Sequence, residues 1–150
     1  MTPFALPLKL INCHTVREFD ETIQEHFGQL NTQELSLIRS YFYEEKLSRN
    51  DFFTKSGKIC DRLSIVRSGI LRIYALTDSK EITQWLSTEN FLVTEVMGFF
   101  YEQPNRWNIQ AFTDVELLTI SKANYRQLCQ EFPKWNEIET AWAAMEEVVS

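Results

Sequence analysis

The stretch DRLSIVRSGILRIY at residues 61–74 decides the fold class of this chain. Apolar residues recur there in two short runs, 63–66 and 70–76, and Ser68 and Gly69 stand between the runs. A spacing of two is typical of strands, and glycine accepts the positive φ that a tight turn requires. The stretch therefore predicts two short strands joined by a tight turn.

The same pattern continues on both sides of this stretch. Short runs with a period of two occur throughout residues 41–120, separated by Asn, Asp, Ser and Gly. The predicted strands cover residues 41–47, 63–66, 70–76, 81–86, 107–112 and 115–120. Six such strands at regular spacing predict an antiparallel β sandwich or jelly roll.

Helical patterns precede the predicted strands. Thr15 and Glu18 form a capping-box pattern ahead of apolar residues spaced three and four apart, and Gly28 is expected to end this helix. Asn31 and Glu34 repeat the start signal for a second helix. We expect one domain over residues 1–150, with helices in 1–40, the jelly roll in 41–120 and further helices in 121–150.

The last part of the chain carries an apolar seam. Ser121 is expected to cap a helix through residue 129, and Pro133 separates that helix from a final one ending at Ser150. Apolar residues of the final helix are spaced 3, 4, 3 and 4 apart, as in a coiled coil: Trp135, Ile138, Trp142, Met145 and Val149. The seam predicts a homodimer through this helix, with packing on its own β body as the alternative.

Composition and charge exclude several classes of function. A net charge of -6 and a pI near 5.0 disfavour direct binding to nucleic acid. The three cysteines are far apart and form no C-x-x-C pair, and no apolar run is long enough to span a membrane. We therefore expect a cytoplasmic protein with reduced thiols and with neither a metal nor a resident cofactor.

Two segments carry a resemblance to a known family. The stretch 61–74 is similar to paired strands around a Ser-Gly hairpin turn in the effector domains of Crp/Fnr-family bacterial transcription regulators. Residues 111–121, AFTDVELLTIS, resemble the closing hairpin of the same domains and the entry to the next helix. The resemblance covers about residues 31–135. It implies a cyclic-nucleotide-binding jelly roll that senses a small effector. A dimerisation helix would follow this jelly roll.

The resemblance also implies where the ligand would bind. The family's phosphate-binding cassette reads F-G-E, a short helix, then R-S-A, and its counterpart here runs from Phe91 to Trp107. Of the key positions only Glu95 is unchanged, because Thr94 replaces the Gly and Asn105 replaces the phosphate-binding Arg. Arg106 and Trp107 stand at the Ser and Ala positions. The candidate ligand-binding residues are Thr94, Glu95, Asn105, Arg106 and Trp107. We expect this degenerate cassette not to bind cyclic AMP tightly.

Alternative functions remain open at this point. The chain is either an effector sensor, an authentic cyclic-nucleotide-binding domain or a ligand-free dimerisation module. A cupin-like metalloenzyme is disfavoured because no predicted strand contains a histidine, and the chain lacks the common catalytic motifs. We therefore expect no enzyme. The resemblance places DNA binding in a winged helix-turn-helix for which this sequence has no counterpart.

Overall fold

The computed structural model of the chain describes residues 13–135. The elements, in order, are α1 Cys13–Phe27, α2 Thr32–Arg39, β1 Tyr43–Leu47, β2 Phe52–Thr54, β3 Arg62–Ser68, β4 Leu71–Thr77, β5 Lys80–Ser87, β6 Leu92–Val93, α3 Val96–Phe99, β7 Asn108–Ala111, β8 Val115–Ser121 and α4 Lys122–Glu131. Mainly β structure with helices towards both ends confirms the predicted fold class.

Two compact units make up the chain. One comprises residues 45–119, and the other draws on both chain ends, up to Glu44 and from Ile120 onward. The β unit closely follows the predicted jelly-roll segment 41–120. The expectation of one domain over residues 1–150 stays a prediction.

The first helix, α1, begins earlier than the sequence pattern predicts. Thr15 lies inside the first turn of the helix, so its predicted role as the N-cap is wrong. An N-cap needs non-helical backbone angles, which a residue within the helix does not have. Gly28 ends the helix as predicted, with a φ of 86° that glycine accepts without strain. Phe19 and Ile23 are buried, as their spacing predicts.

The second helix, α2, has the predicted capping box. The Asn31 side chain accepts from the Glu34 N–H at 2.8 Å, and the Glu34 carboxylate accepts from the Asn31 N–H at 2.9 Å. The Arg39 guanidinium donates to both carboxylate oxygens of Asp20 at 2.6 and 2.7 Å. This pair links α1 to α2 by charge-assisted bonds.

The helix α4 follows the strands directly. Ser121 caps it by accepting from the Asn124 N–H at 3.1 Å, which confirms the predicted start. Beyond its end, Trp135 is 1% exposed, and its ring lies 6.4 Å from that of Tyr125. The other four predicted seam residues, Ile138, Trp142, Met145 and Val149, lie outside the described residues. The predicted dimer helix therefore stays a prediction.

The eight strands form two four-stranded sheets. Their orders are β1-β8-β3-β6 and β2-β7-β4-β5. The short strands β2 and β6 have three and two residues and were not predicted, because an alternating pattern needs more positions to be visible. The six predicted strands overlap β1, β3, β4, β5, β7 and β8, although β1, β4 and β7 begin one or two residues later than predicted.

Both segments that resembled hairpins instead join one sheet to the other. The turn at Ser68 and Gly69 leads from β3 to β4, which lie in different sheets, and residues 112–114 lead from β7 to β8 in the same manner. The predicted pairing within each segment is therefore wrong. The Ile70 N–H donates to the Thr113 hydroxyl at 3.0 Å, and a Cβ on Gly69 would lie 2.2 Å from the Asp114 carbonyl oxygen. Close packing of the two turns thus requires glycine at position 69.

A true hairpin is formed by β4 and β5. Its two turn residues, Asp78 and Ser79, have positive φ values of 49° and 67°. Positive φ at both central residues is the requirement of the type I′ turn, which matches the twist of paired strands.

The β unit has an apolar interior drawn from both sheets. Its fully buried side chains include Phe53, Leu63, Ile65, Val66, Leu71, Ile109, Leu117 and Leu118. Within residues 13–135, no helix is long and apolar enough to cross a membrane.

Candidate functional site

The five predicted site residues lie on one segment of the β unit. Residues 94–107 lead from β6 to β7 and contain the four-residue helix α3. Thr94 and Glu95 precede α3, whereas Asn105, Arg106 and Trp107 follow the loop behind it. The structure therefore brings the two halves of the predicted cassette to the same place.

The Glu95 carboxylate joins the two halves of this segment. Its side chain caps α3 by accepting from the Met97 N–H at 2.8 Å. Its other oxygen accepts from the N–H groups of Arg106 and, at 3.2 Å, Trp107. Glu95 is only 3% exposed. Three amide donors therefore hold a buried carboxylate from both sides of the loop.

Asn105 is also used internally. Its amide nitrogen donates to the Thr54 hydroxyl at 2.7 Å and to the Lys55 carbonyl at 2.9 Å, and its side-chain oxygen accepts from the Cys60 N–H at 3.0 Å. The residue is 3% exposed. Both donors and the acceptor of the side chain are satisfied within the protein, so Asn105 binds the loop before β3 and does not face an open ligand site.

Gly98 makes this packing possible. A Cβ at position 98 would lie 2.0 Å from the Asn105 side-chain oxygen and 2.4 Å from the Cys60 backbone nitrogen. Both distances are far below van der Waals contact. Gly98 is therefore a site residue that the sequence reasoning missed. The available signal was a glycine inside a short helical segment, which often marks close backbone approach.

The remaining predicted residues have separate environments. The Thr94 hydroxyl donates to the Arg62 carbonyl at 2.8 Å and lies 3.6 Å from the Cys60 sulfur. The Arg106 side chain is exposed and forms no ion pair with any residue in the 13–135 range. Trp107 is half-buried. Only Arg106, of the five, presents a free charged group to solvent.

The arrangement determines which chemistry the segment can perform. The Glu95 carboxylate accepts from three amide N–H groups, which take the place of the water molecules that it would bond when exposed. No Lys or Arg side chain of the described residues pairs with Glu95. In the same residues, no group of three His, Cys, Asp or Glu side chains is placed to hold a metal ion. The N–H groups of Met97, Arg106 and Trp107 thus already have an acceptor within the chain.

Comparison with known families identifies the fold and the segment together. A sequence model described as the cyclic nucleotide-binding domain matches residues 44–132, which is more than half of the chain. The chain belongs to the cyclic nucleotide-binding domain family. The match includes both sheets and the segment 94–107, so the resemblance predicted from the sequence is confirmed for this family. A comparison with curated proteins finds no match.

Solved structures share the fold of this cyclic nucleotide-binding domain. The catabolite activator protein of Thermus thermophilus is 24% identical with a TM-score of 0.73, and the match covers 81% of this chain and 57% of that one. The sensor domain of the regulator DNR from Pseudomonas aeruginosa is 20% identical with a TM-score of 0.68, over 90% of each chain. The chain thus spans little more than half of the activator protein but most of an isolated sensor domain.

A third relative is a regulatory subunit from Trypanosoma cruzi. It is described as belonging to a cAMP-independent protein kinase A and as bound to guanosine. It is 19% identical with a TM-score of 0.64, and the match covers 78% of this chain and 41% of that one. At these identities the likeness concerns the fold.

Proposed function

We propose that this cyclic nucleotide-binding domain is the effector-sensing part of a Crp/Fnr-type transcription regulator and that it does not bind cyclic AMP or cyclic GMP tightly. The observation that carries the proposal is the inward position of Asn105. The resemblance implies a phosphate-neutralising arginine at this position. Asn105 is neutral instead, and its side chain is fully bonded to Thr54, Lys55 and Cys60.

The lost charge has a large energetic effect. Breaking a buried ion pair by removing one partner costs about 3 to 5 kcal/mol. This corresponds to a reduction in affinity of about 10²- to 10³-fold or more. Because neighbouring residues of an extended segment point in opposite directions, Arg106 does not automatically replace the missing cation. Its exposed side chain agrees with this reasoning.

Structural relatives support the two parts of the proposal. The resemblance to an isolated sensor domain of a transcriptional regulator supports the sensor role. The subunit bound to guanosine supports the idea that this fold accommodates an effector without a cyclic phosphate. By the same resemblance we propose that the effector acts on a dimer through the terminal helix, that DNA is read by a separate domain and that the chain catalyses no reaction.

Calorimetry with cyclic AMP and cyclic GMP at low salt tests the proposal. Low salt is the fair condition because screening weakens the attraction of phosphate. We expect dissociation constants no tighter than about 100 μM, which is about −5.5 kcal/mol. A low-micromolar constant that is lost in Arg106→Ala would overturn the proposal and assign the phosphate to Arg106.

One observation favours a second candidate, authentic cyclic-nucleotide binding. Arg106 is a free cation directly beside the amides that hold Glu95, so a rearranged loop would bring it to a phosphate. The same titration decides between the two. A panel of nucleosides, nucleotides and other small anions in a thermal-shift assay separates both from a ligand-free dimerisation module, because only a ligand that binds the native state raises the melting temperature.

A further inference from the structure

Two exposed loops of the β unit lie side by side. One is residues 55–59, between β2 and β3, and the other is residues 101–106, between α3 and β7. The backbone of Asn105 joins them, because its N–H donates to the Lys58 carbonyl at 2.6 Å and its carbonyl accepts from the Gly57 N–H at 2.9 Å. We call the exposed side chains of these two stretches the loop surface.

Three cations of the loop surface have no ionic partner. Lys55, Lys58 and Arg106 are exposed, and none of them forms an ion pair with any other described residue. The Lys55 ammonium lies over the Phe52 ring, 4.6 Å from its centre. Glu102 is the one carboxylate in the two stretches. The loop surface is therefore locally positive on a chain whose net charge is -6.

Two large apolar side chains accompany these cations. Ile59 is 54% exposed and Tyr101 is 50% exposed. Their loops pack together, since a Cβ on Gly98 would lie 2.4 Å from the Cys60 backbone nitrogen. The Glu102 N–H donates to the Gly98 carbonyl at 3.2 Å, so Tyr101 lies on the turn that follows Gly98. Neighbouring exposed apolar side chains beside charged ones are typical of a surface that contacts another protein.

We infer that the loop surface binds an acidic segment of a partner protein in which carboxylates stand next to apolar side chains. The carboxylates of such a segment complement Lys55, Lys58 and Arg106, and its apolar side chains can contact Ile59 and Tyr101. Nucleic acid fits this surface less well, because three cations neutralise few phosphates and the net charge of -6 repels a longer polyanion. The inference goes beyond the proposed function, since it concerns a protein partner and not the effector.

Two double variants separate the loop surface from the charge of the whole chain. Lys55→Glu with Lys58→Glu reverses two of its three cations. Lys46→Glu with Arg49→Glu is the matched control, because it makes the same change in charge at two positions with the same spacing. The control residues lie at the turn after β1, which bonds to Ala111 at the opposite end of β7 from the loop surface. Circular dichroism shows whether both variants fold.

The probe is a short fluorescent peptide of glutamate and leucine residues, titrated with the 150-residue chain at low salt. We expect the wild type to bind this peptide, the Lys55→Glu/Lys58→Glu variant to bind it at least about tenfold more weakly, and the control to stay within about threefold of the wild type. In nitrogen-15 spectra of the wild type, the peptide should shift amide signals of residues 55–59 and 101–106.

Several results would contradict the inference. They are the absence of peptide binding to the wild type, equal weakening in both double variants, and equally tight binding of a peptide with lysine in place of glutamate. A single-stranded oligonucleotide that binds more tightly than the peptide, and less tightly to Lys55→Glu/Lys58→Glu, would assign the surface to nucleic acid instead. If that variant does not fold, Lys55→Ala with Lys58→Ala replaces it, with an expected loss of at least about threefold.

Discussion

Replacing Gly98 by alanine should destabilise the β unit although alanine favours helices. The added Cβ would lie 2.4 Å from the Cys60 nitrogen and 2.0 Å from the Asn105 side-chain oxygen, so the backbone around Cys60 must move. Overpacking costs about 1–3 kcal/mol, and a broken Asn105–Cys60 bond leaves buried groups unsatisfied at a further cost of about 1–3 kcal/mol. The gain in helix propensity is about 1 kcal/mol. We expect a net loss of about 3 kcal/mol.

Urea unfolding followed by tryptophan fluorescence measures this loss as a lower midpoint with an unchanged slope. The matched control is Gly57→Ala, since Gly57 has a positive φ of 87° but nothing within 4 Å of an added Cβ. Backbone strain alone should cost about 1–2 kcal/mol there. The reasoning is refuted if Gly98→Ala is as stable as the wild type or more stable, because helix propensity would then outweigh the contact.

Three further predictions concern the rest of the chain. Light scattering should show a dimer at micromolar concentration and a folded monomer for Trp142→Glu; a monomeric wild type, or a variant that still dimerises, would assign the seam to packing within one chain. Fluorescence-anisotropy titrations should show no preferred DNA sequence, because the net charge of -6 disfavours contact with the phosphate backbone. Specific binding to one operator sequence would contradict this prediction. Burial, with Glu131 adding to it, raises the pKa of Tyr41 to about 12. The neutral Tyr41 hydroxyl should therefore contribute fully to the free energy of unfolding below about pH 10, and this contribution should be lost as the pH rises towards about 12. Urea unfolding at a series of pH values measures the loss, and the Tyr41→Phe variant should not show it.

Local sequence patterns predicted most of the elements but not all of their neighbours. Ser68 and Gly69 correctly indicate a tight turn, because positive φ is a local requirement. Whether the strands on either side then pair or separate into two sheets depends on residues far away, here Thr113 and Asp114, which pack against Gly69. A two-residue turn signal is compatible with both outcomes. The hairpin interpretation was therefore wrong while the turn was right.

The strand β5 shows a second limit of the pattern. Its apolar residues suggest a face against the core, yet Ile82 and Trp85 are both about half exposed, and only Ser87 at the end of the strand is buried. An alternating apolar pattern indicates which residues favour burial, but it does not show whether another element packs against them. Because β5 is the edge of its sheet, no further strand of that sheet covers its outer side.

The residues of the candidate site were named from the resemblance, which did not reveal how their side chains are bonded. Glu95 and Asn105 were identified by their place in the cassette, and both lie on the expected segment. Their partners are mainly backbone groups, such as the N–H of Arg106 and the N–H of Cys60. All residue types except proline have a backbone N–H, so residue types do not show which of these groups become partners. Residue types therefore could not reveal that the polar side chains are already satisfied. Among the site residues discussed above, Gly98 alone gave a sequence signal of its packing, namely a glycine within a short helical segment.

Internal bonding of Glu95 has a consequence for any effector that uses this carboxylate. The carboxylate already accepts from the amides of Met97, Arg106 and Trp107, which is three of about four hydrogen bonds that it can accept, so a ligand that needs more than one of them must displace an amide. A hydrogen bond to a charged group contributes about 1.5–3 kcal/mol, so losing two of them without replacement lowers affinity by about 10²-fold or more. A ligand with its own acidic group avoids this cost only if that group takes over the same amides. We therefore expect a neutral nucleoside that displaces these amides from Glu95 to bind weakly.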